Sequence, residues 1–175
     1  NLNATIFIRK LTDNTGIFQA NTTQVSGASP DDWNPDTTEY ALWNSAMEKD
    51  SQYYYHSDGN QNITVLQDGL YILSFNSPRM TSTGQREAPQ YTVYVNDVSQ
   101  DGSRTGSSYI RDSSGAEESS TVLTYALNLS AEDDIKIGVI RCHSTTNSVV
   151  NDLDESVIYI EYKGELNNEG GWLEW

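Results

Sequence analysis

Short runs in which apolar and polar residues alternate, each closed by glycine, aspartate, asparagine or serine, recur along this chain and constrain it more than any other feature. Alternation with a period of two turns one face of an extended strand toward a core and the other toward water. The runs are residues 5–10 (TIFIRK), 17–20, 62–66, 70–75, 91–95, 121–127, 135–140 and 157–162. A weaker strand is expected at 108–111. The stretch 40–49 (YALWNSAMEK) tolerates a helix but reads equally well as extended chain. Asp68-Gly69 marks a tight turn, because glycine takes the positive φ that such turns need. About nine or ten short strands at regular spacing predict an antiparallel all-β sandwich or barrel.

The chain has 175 residues, enough for one domain with a sizeable core and no need of a disulfide or metal. Its eleven tyrosines suit half-buried strands, where the ring packs and the hydroxyl reaches water. The formal charge of −15 argues against nucleic acid and against an anionic membrane surface, both of which call for clustered Lys and Arg. No run approaches the roughly 18 apolar residues of a membrane-spanning helix, so no membrane insertion is expected. Cys142 is the one cysteine, which excludes an intrachain disulfide.

Chemistry is sparse. His56 and His143 are the two histidines, neither in a nucleophile-elbow pattern. Cys142 and His143 are neighbours on an extended segment and point to opposite faces, so they form no dyad. Pairs of acids are plentiful, at Asp31-Asp32, Glu117-Glu118 and Glu132-Asp133-Asp134, but each lies in a polar loop where solvation is the simplest account. No catalytic residue is assigned, and a carboxylate-dependent hydrolase is the weakest reading. No cofactor is required. Calcium is the candidate ion, for Asp31, Asp32 and Asp36 with Asn34 on one loop, and for Asp152 and Asp154 with Asn151 and Glu155 on another.

From residue 53 to 163 the order of features resembles the complement C1q / tumour necrosis factor family of jelly rolls, in particular the short versions on bacteriophage fibres and capsid surfaces. A polar strand, Asn62-Ile63-Thr64-Val65-Leu66, precedes a Gly-aromatic strand beginning Gly69-Leu70-Tyr71. A later strand ends in asparagine at Tyr94-Val95-Asn96. A Leu-x-x-x-Asp turn follows at Leu129-Ser130-Ala131-Glu132-Asp133, and the closing strand Val157 to Tyr162 is rich in β-branched and aromatic residues. The family's usual glycine before the aspartate of that turn is missing, and Glu132 stands in its place.

The resemblance implies an antiparallel jelly-roll sandwich of about ten strands that assembles as a homotrimer. It divides the chain into N-terminal strands and a loop at 1–50, a jelly-roll body at 51–163 and a C-terminal docking tail at 164–175. Tyr71, Tyr125, Tyr159 and Tyr162 are the candidates for core or subunit interface. Trp172 and Trp175 follow Gly170-Gly171 in a tail with no core of its own and are expected to dock on a neighbour. Residues 5–10 suit addition to a sheet edge of another subunit. The reading is a non-enzymatic virion or extracellular surface protein that acts by assembly, with other particle proteins engaged through its termini. The alternative is a secreted glycan-binding module that uses Tyr53, Tyr54, Tyr55, Trp33 and Trp43.

Overall fold

The computed structural model describes residues 16–25, 38–44, 46–82, 86–87, 89–105, 109–111, 118–141, 149–151 and 156–165. All regular structure among them is strand. In chain order the strands are β1 (Ile17–Val25), β2 (Glu39–Trp43), β3 (Glu48–Lys49), β4 (Tyr54–Tyr55), β5 (Ile63–Val65), β6 (Gly69–Ser82) and β7 (Arg86–Glu87). They continue with β8 (Pro89–Val95), β9 (Val98–Ser99), β10 (Ile110–Arg111), β11 (Glu118–Leu129), β12 (Asp134–Arg141), β13 (Val149–Asn151) and β14 (Val157–Gly164). The stretch 40–49, open between helix and extended chain, is extended as β2 and β3. Several strands are two-residue ladders that no alternation pattern could reveal, which is why the structure holds more pieces than the sequence suggests.

β7 and β10 form a short ladder of their own, and the other strands form two layers, every pairing antiparallel. In the first, β11, β6, β14 and β1 lie side by side, with β3 beyond the first half of β1. In the second, β12 is central. β8 lies on one side of it, and β5 and β2 share the other, each against one half of its length. β4 extends this layer beyond β5 and β9 beyond β8. The second half of β1 pairs with β2 and so joins the layers at one corner, with a register shift between Thr22 and Gln24. A shift of this kind bends a strand and lets it pass from one sheet to the other.

Alternation places the core between the layers. Along β11 Thr121, Leu123, Leu127 and Leu129 are buried, while Val122, Thr124, Ala126 and Asn128 are exposed. Along β6 Tyr71, Leu73, Phe75 and Ser77 face inward, meeting Tyr91 and Val93 of β8 and Ile135, Ile137 and Val139 of β12 in one cluster. Trp43 packs edge-on to Phe75, and Phe75 against Tyr91. Each large side chain buried in this way contributes about 1.5–3 kcal/mol. Burial also pushes the hydroxyl pKa of Tyr54, Tyr71 and Tyr91 well above the usual phenol value. They stay protonated and donate: Tyr54 to the Gly16 carbonyl at 2.8 Å and Tyr71 to the Gln67 carbonyl at 2.7 Å.

Two turns fix the end of the sandwich. Gly69 opens β6 with φ +153°, and a Cβ there would stand 2.5 Å from the Gly164 carbonyl oxygen and from the Tyr162 ring. Asn96 and Asp97 join β8 to β9 with φ of +48° and +66°, the two-residue hairpin whose twist matches its strands.

Candidate functional site

Residues that carried the family resemblance at separate places in the sequence meet at this end. The Asn96 side-chain amide donates to Asp133 Oδ1 at 2.7 Å, and the Asp134 N–H donates to Asn96 Oδ1 at 2.9 Å. Asp133 Oδ2 accepts from the Ser130 N–H at 2.8 Å, closing the β11–β12 turn on itself. Glu132 sits in that turn at φ +74°, a left-handed conformation that favours glycine. The acids at 132–134 therefore build a turn: Asp134 also accepts from Thr64 and Asn62, both at 2.6 Å. A cleft of about 520 Å³ lies beside it, lined by the 66–69 turn, residues 128–131 and Glu165. The Asp68 carboxylate in this cleft accepts from the Ala131 N–H at 2.7 Å and so ties the two turns together.

The described histidine is structural in the same sense. His56 is buried, with Nδ1 2.9 Å from the Asn62 carbonyl, Nε2 3.2 Å from the Asn44 carbonyl, and Phe18 edge-on to its ring. No group of three or more His, Cys, Asp or Glu among the described residues could hold a metal ion. The calcium candidates Asp31, Asp32, Asp36, Asp152 and Asp154 lie outside the described residues, as do Trp33, His143, Trp172 and Trp175. Of the rings named for glycan stacking, Trp43 is fully buried and Tyr54 is 1% exposed, so neither can present a face to a sugar. Three consecutive tyrosines look like a surface patch, whereas alternation sends the middle one into the core, and the same alternation along β2 turns Ala41 and Trp43 inward.

A different kind of site covers the outer face of the first layer. Ladder registers put Val122, Asn76, Val157 and Asn21 in one row across β11, β6, β14 and β1. The next row is Thr124, Ser74, Tyr159 and Gln19, and the third is Ala126, Ile72, Glu161 and Ile17. Across these four strands Glu161 is the one charged residue of the three rows, bridged by Lys163 at 3.0 Å; β3 extends the second row with Glu48 opposite Gln19, and Ile17 in the third row is buried. Val122 at one edge is 66% exposed, and Met47, beside β1 at the other, is 62% exposed. In a chain of net charge −15, a sheet face with so little charge is the candidate surface for contact with another molecule.

The four tyrosines fall in different places relative to this face. Tyr159 stands at its centre, opposite Ser74 and Gln19. Tyr71 is fully buried inside the subunit, against Tyr54 and Tyr162. Tyr125 is half-buried on the inner side of β11 and donates to the Asp101 carbonyl at 2.6 Å. Tyr162 is half-buried at the lower rim, stacked between Tyr53 and Tyr71, and burial raises its hydroxyl pKa, with Glu165 adding to the shift. The sequence reading missed Ile72, Val122, Ala126 and Val157. Their signal was present: residues 70–73 and 157–160 are apolar at consecutive positions, the mark of strands covered on both faces.

Comparison with solved structures bears on the fold. Murine APRIL, a protein of the tumour necrosis factor family, superposes at pH 5.0 with a TM-score of 0.55 and 9% identity, over 85% of this chain and 98% of APRIL. Its structures at pH 8.5 and pH 8.0 give 0.51 and 0.50, at 8% and 9% identity, over the same shares of each chain. This chain has the tumour necrosis factor-like jelly-roll fold. No family model matches the sequence, and no curated protein matches it. At such low identity the shared feature of the tumour necrosis factor-like fold is its strand order, and the surface rows are this chain's own. No helix of the described residues is long and apolar enough to cross a membrane.

Proposed function

We propose that the chain is a non-enzymatic assembly domain on a virion or other extracellular particle, a capsid decoration or fibre head. It acts as a homotrimer joined through the outer face of the β11-β6-β14-β1 sheet. The observation that carries this reading is the three-row surface with a single charged residue across β11, β6, β14 and β1, flanked by Glu48 of β3, in a molecule whose remaining surface must hold most of fifteen excess negative charges. The two edges of the face differ, β11 with Val122 on one side and β1 with Met47 on the other. Contact between identical chains is then head-to-tail and closes as a ring, for which three copies is the arrangement the jelly-roll resemblance implies. No group of side chains among the described residues could hold a metal ion, and the groups of this face are mainly apolar and uncharged polar.

Sedimentation of the Tyr159→Arg variant tests the reading. A guanidinium buried at the centre of the face without a partner should drop the mass from three copies to one while circular dichroism keeps its β signature. Unchanged mass in a folded variant would contradict assembly through this face.

A further inference from the structure

Aspartate followed by glycine occurs three times in the chain, at Asp58-Gly59, Asp68-Gly69 and Asp101-Gly102. Glycine has no Cβ, so the amide nitrogen that follows the aspartate is unhindered and can approach its carboxyl carbon. All three pairs share this intrinsic reactivity, and the fold treats each differently. The Gly59 N–H donates to the Trp43 carbonyl at 2.7 Å, which holds that amide in place. Asp68 Oδ1 accepts from the Ala131 N–H at 2.7 Å, and Gly69 is buried against the Gly164 carbonyl oxygen and the Tyr162 ring. Asp101 and Gly102 are both exposed in the turn 100–103, with Gly102 at φ +78° and nothing within 4 Å of a Cβ placed there. Neither the Asp101 carboxylate nor the Gly102 N–H has a hydrogen-bond partner among the described residues.

We propose that Asp101-Gly102 is a site of spontaneous backbone modification, where the aspartyl link becomes isoaspartyl and loosens the edge of β8, while the fold protects the other two pairs. The Gly102 nitrogen attacks Cγ of Asp101 and an N–Cγ bond forms. The displaced carboxyl oxygen leaves as water, carrying the amide proton and the carboxyl proton. Water then opens the cyclic imide. Opening at Cγ returns aspartate, whereas opening at the α-carbonyl leaves a main chain that runs through Cβ and Cγ, one atom longer, with the α-carboxylate pendant. The overall change is mass-neutral, and water is the co-reactant. Its consequence follows from what the segment 100–105 covers. The Gln100 N–H donates to the Val93 carbonyl at 2.9 Å, Ser103 Oγ accepts from the Val93 N–H at 3.0 Å, and Thr105 Oγ1 accepts from the Tyr91 N–H at 3.0 Å. The turn is closed by the Ser103 N–H on the Gln100 carbonyl at 3.1 Å, and Tyr125 donates to the Asp101 carbonyl at 2.6 Å. The extra backbone atom falls inside that turn and makes the acceptor of Tyr125 a carboxylate, so Ser103 is displaced from Val93.

The test ages the full chain at neutral pH, folded and in urea, and maps its peptides by electron-transfer fragmentation, which identifies the lengthened backbone. In the folded chain isoaspartate should accumulate roughly ten-fold faster at Asp101 than at Asp58 or Asp68, the factor that about one protecting hydrogen bond supplies, and in urea the three rates should converge. In chains carrying isoaspartate, the Val93 amide should exchange with deuterium roughly ten-fold faster than before ageing. Asp101→Glu, whose longer side chain cannot close the same ring, should keep the unaged exchange rate after identical treatment. Equal accumulation at the three pairs in the folded chain, or no isoaspartate at Asp101, overturns the proposal. So does Val93 exchange that ageing leaves unchanged or raises equally in Asp101→Glu.

Discussion

The outer faces of the two sheets are built on opposite plans. On the second sheet, polar groups close on one another. Lys136 is buried, its ammonium held by Asp97 and placed 5.1 Å above the Tyr40 ring, while Tyr40 meets Tyr94 edge-on. Tyr94 lies so close over Gly138 that a Cβ there would come 2.4 Å from its ring. Asp134 is satisfied by Asn62 and Thr64. On the first sheet, the rows through Asn76, Ser74 and Ile72 carry apolar and uncharged polar groups across β11, β6, β14 and β1, with one charge among twelve positions. One face finishes itself within the subunit, and under the proposed assembly the other is finished by a copy. The difference shows that a jelly roll's two sheets, alike inside, can be assigned different work by alternate residues of the same strands.

The largest effect should come from placing the same charge on each face. Ala126→Glu on the first sheet should abolish assembly, because burying an unpaired carboxylate costs far more than a subunit contact returns. Ser99→Glu, in register with Tyr94 on the second sheet, should leave the mass unchanged. Equal effects in gel filtration with light scattering would erase the distinction between the faces.

Alkaline titration isolates the core that the two faces share. Tyr54, Tyr71 and Tyr91 have hydroxyl pKa values raised by burial. Folding stability from these groups is therefore fully present below the unfolded phenol value near 10 and is lost as pH rises above it toward the folded values. Each tyrosine should remove up to about 1.4 kcal/mol per pH unit there. Urea midpoints measured between pH 8 and 11 should be flat and then fall, with the phenolate absorbance of Tyr54, Tyr71 and Tyr91 appearing only as the chain unfolds.

Smaller effects separate the two plans further. Lys136→Ala should destabilise the subunit by about 2–3 kcal/mol, since it removes a packed stem and a charged partner, while Lys136→Met should recover most of that loss and neither should alter assembly. Glu132→Gly should stabilise by about 1 kcal/mol by relieving the left-handed conformation, read as a shift in denaturation midpoint without a change of slope.

The sequence disclosed the core strands and the turns well, because alternation and turn residues are local signals. Gly69, Asn96 and Asp133 could be named before their mutual geometry was known. The length of β6 was not legible: residues 76–82 (NSPRMTS) lack alternation, and their extended form comes from pairing with the start of β11 and with β13. Tyr71 and Tyr159 shared a single description as core or interface, since nothing local says which parity faces the second sheet. That parity depends on register across strands far apart in sequence, and Ile72 and Val157 became visible as surface once β6, β14 and β11 were aligned.

The mass of the unaltered chain at micromolar concentration, by native mass spectrometry, tests the central claim most directly. Closure through the first sheet predicts a species of three times the 19.5 kDa subunit. A single 19.5 kDa species that persists as concentration rises would contradict it.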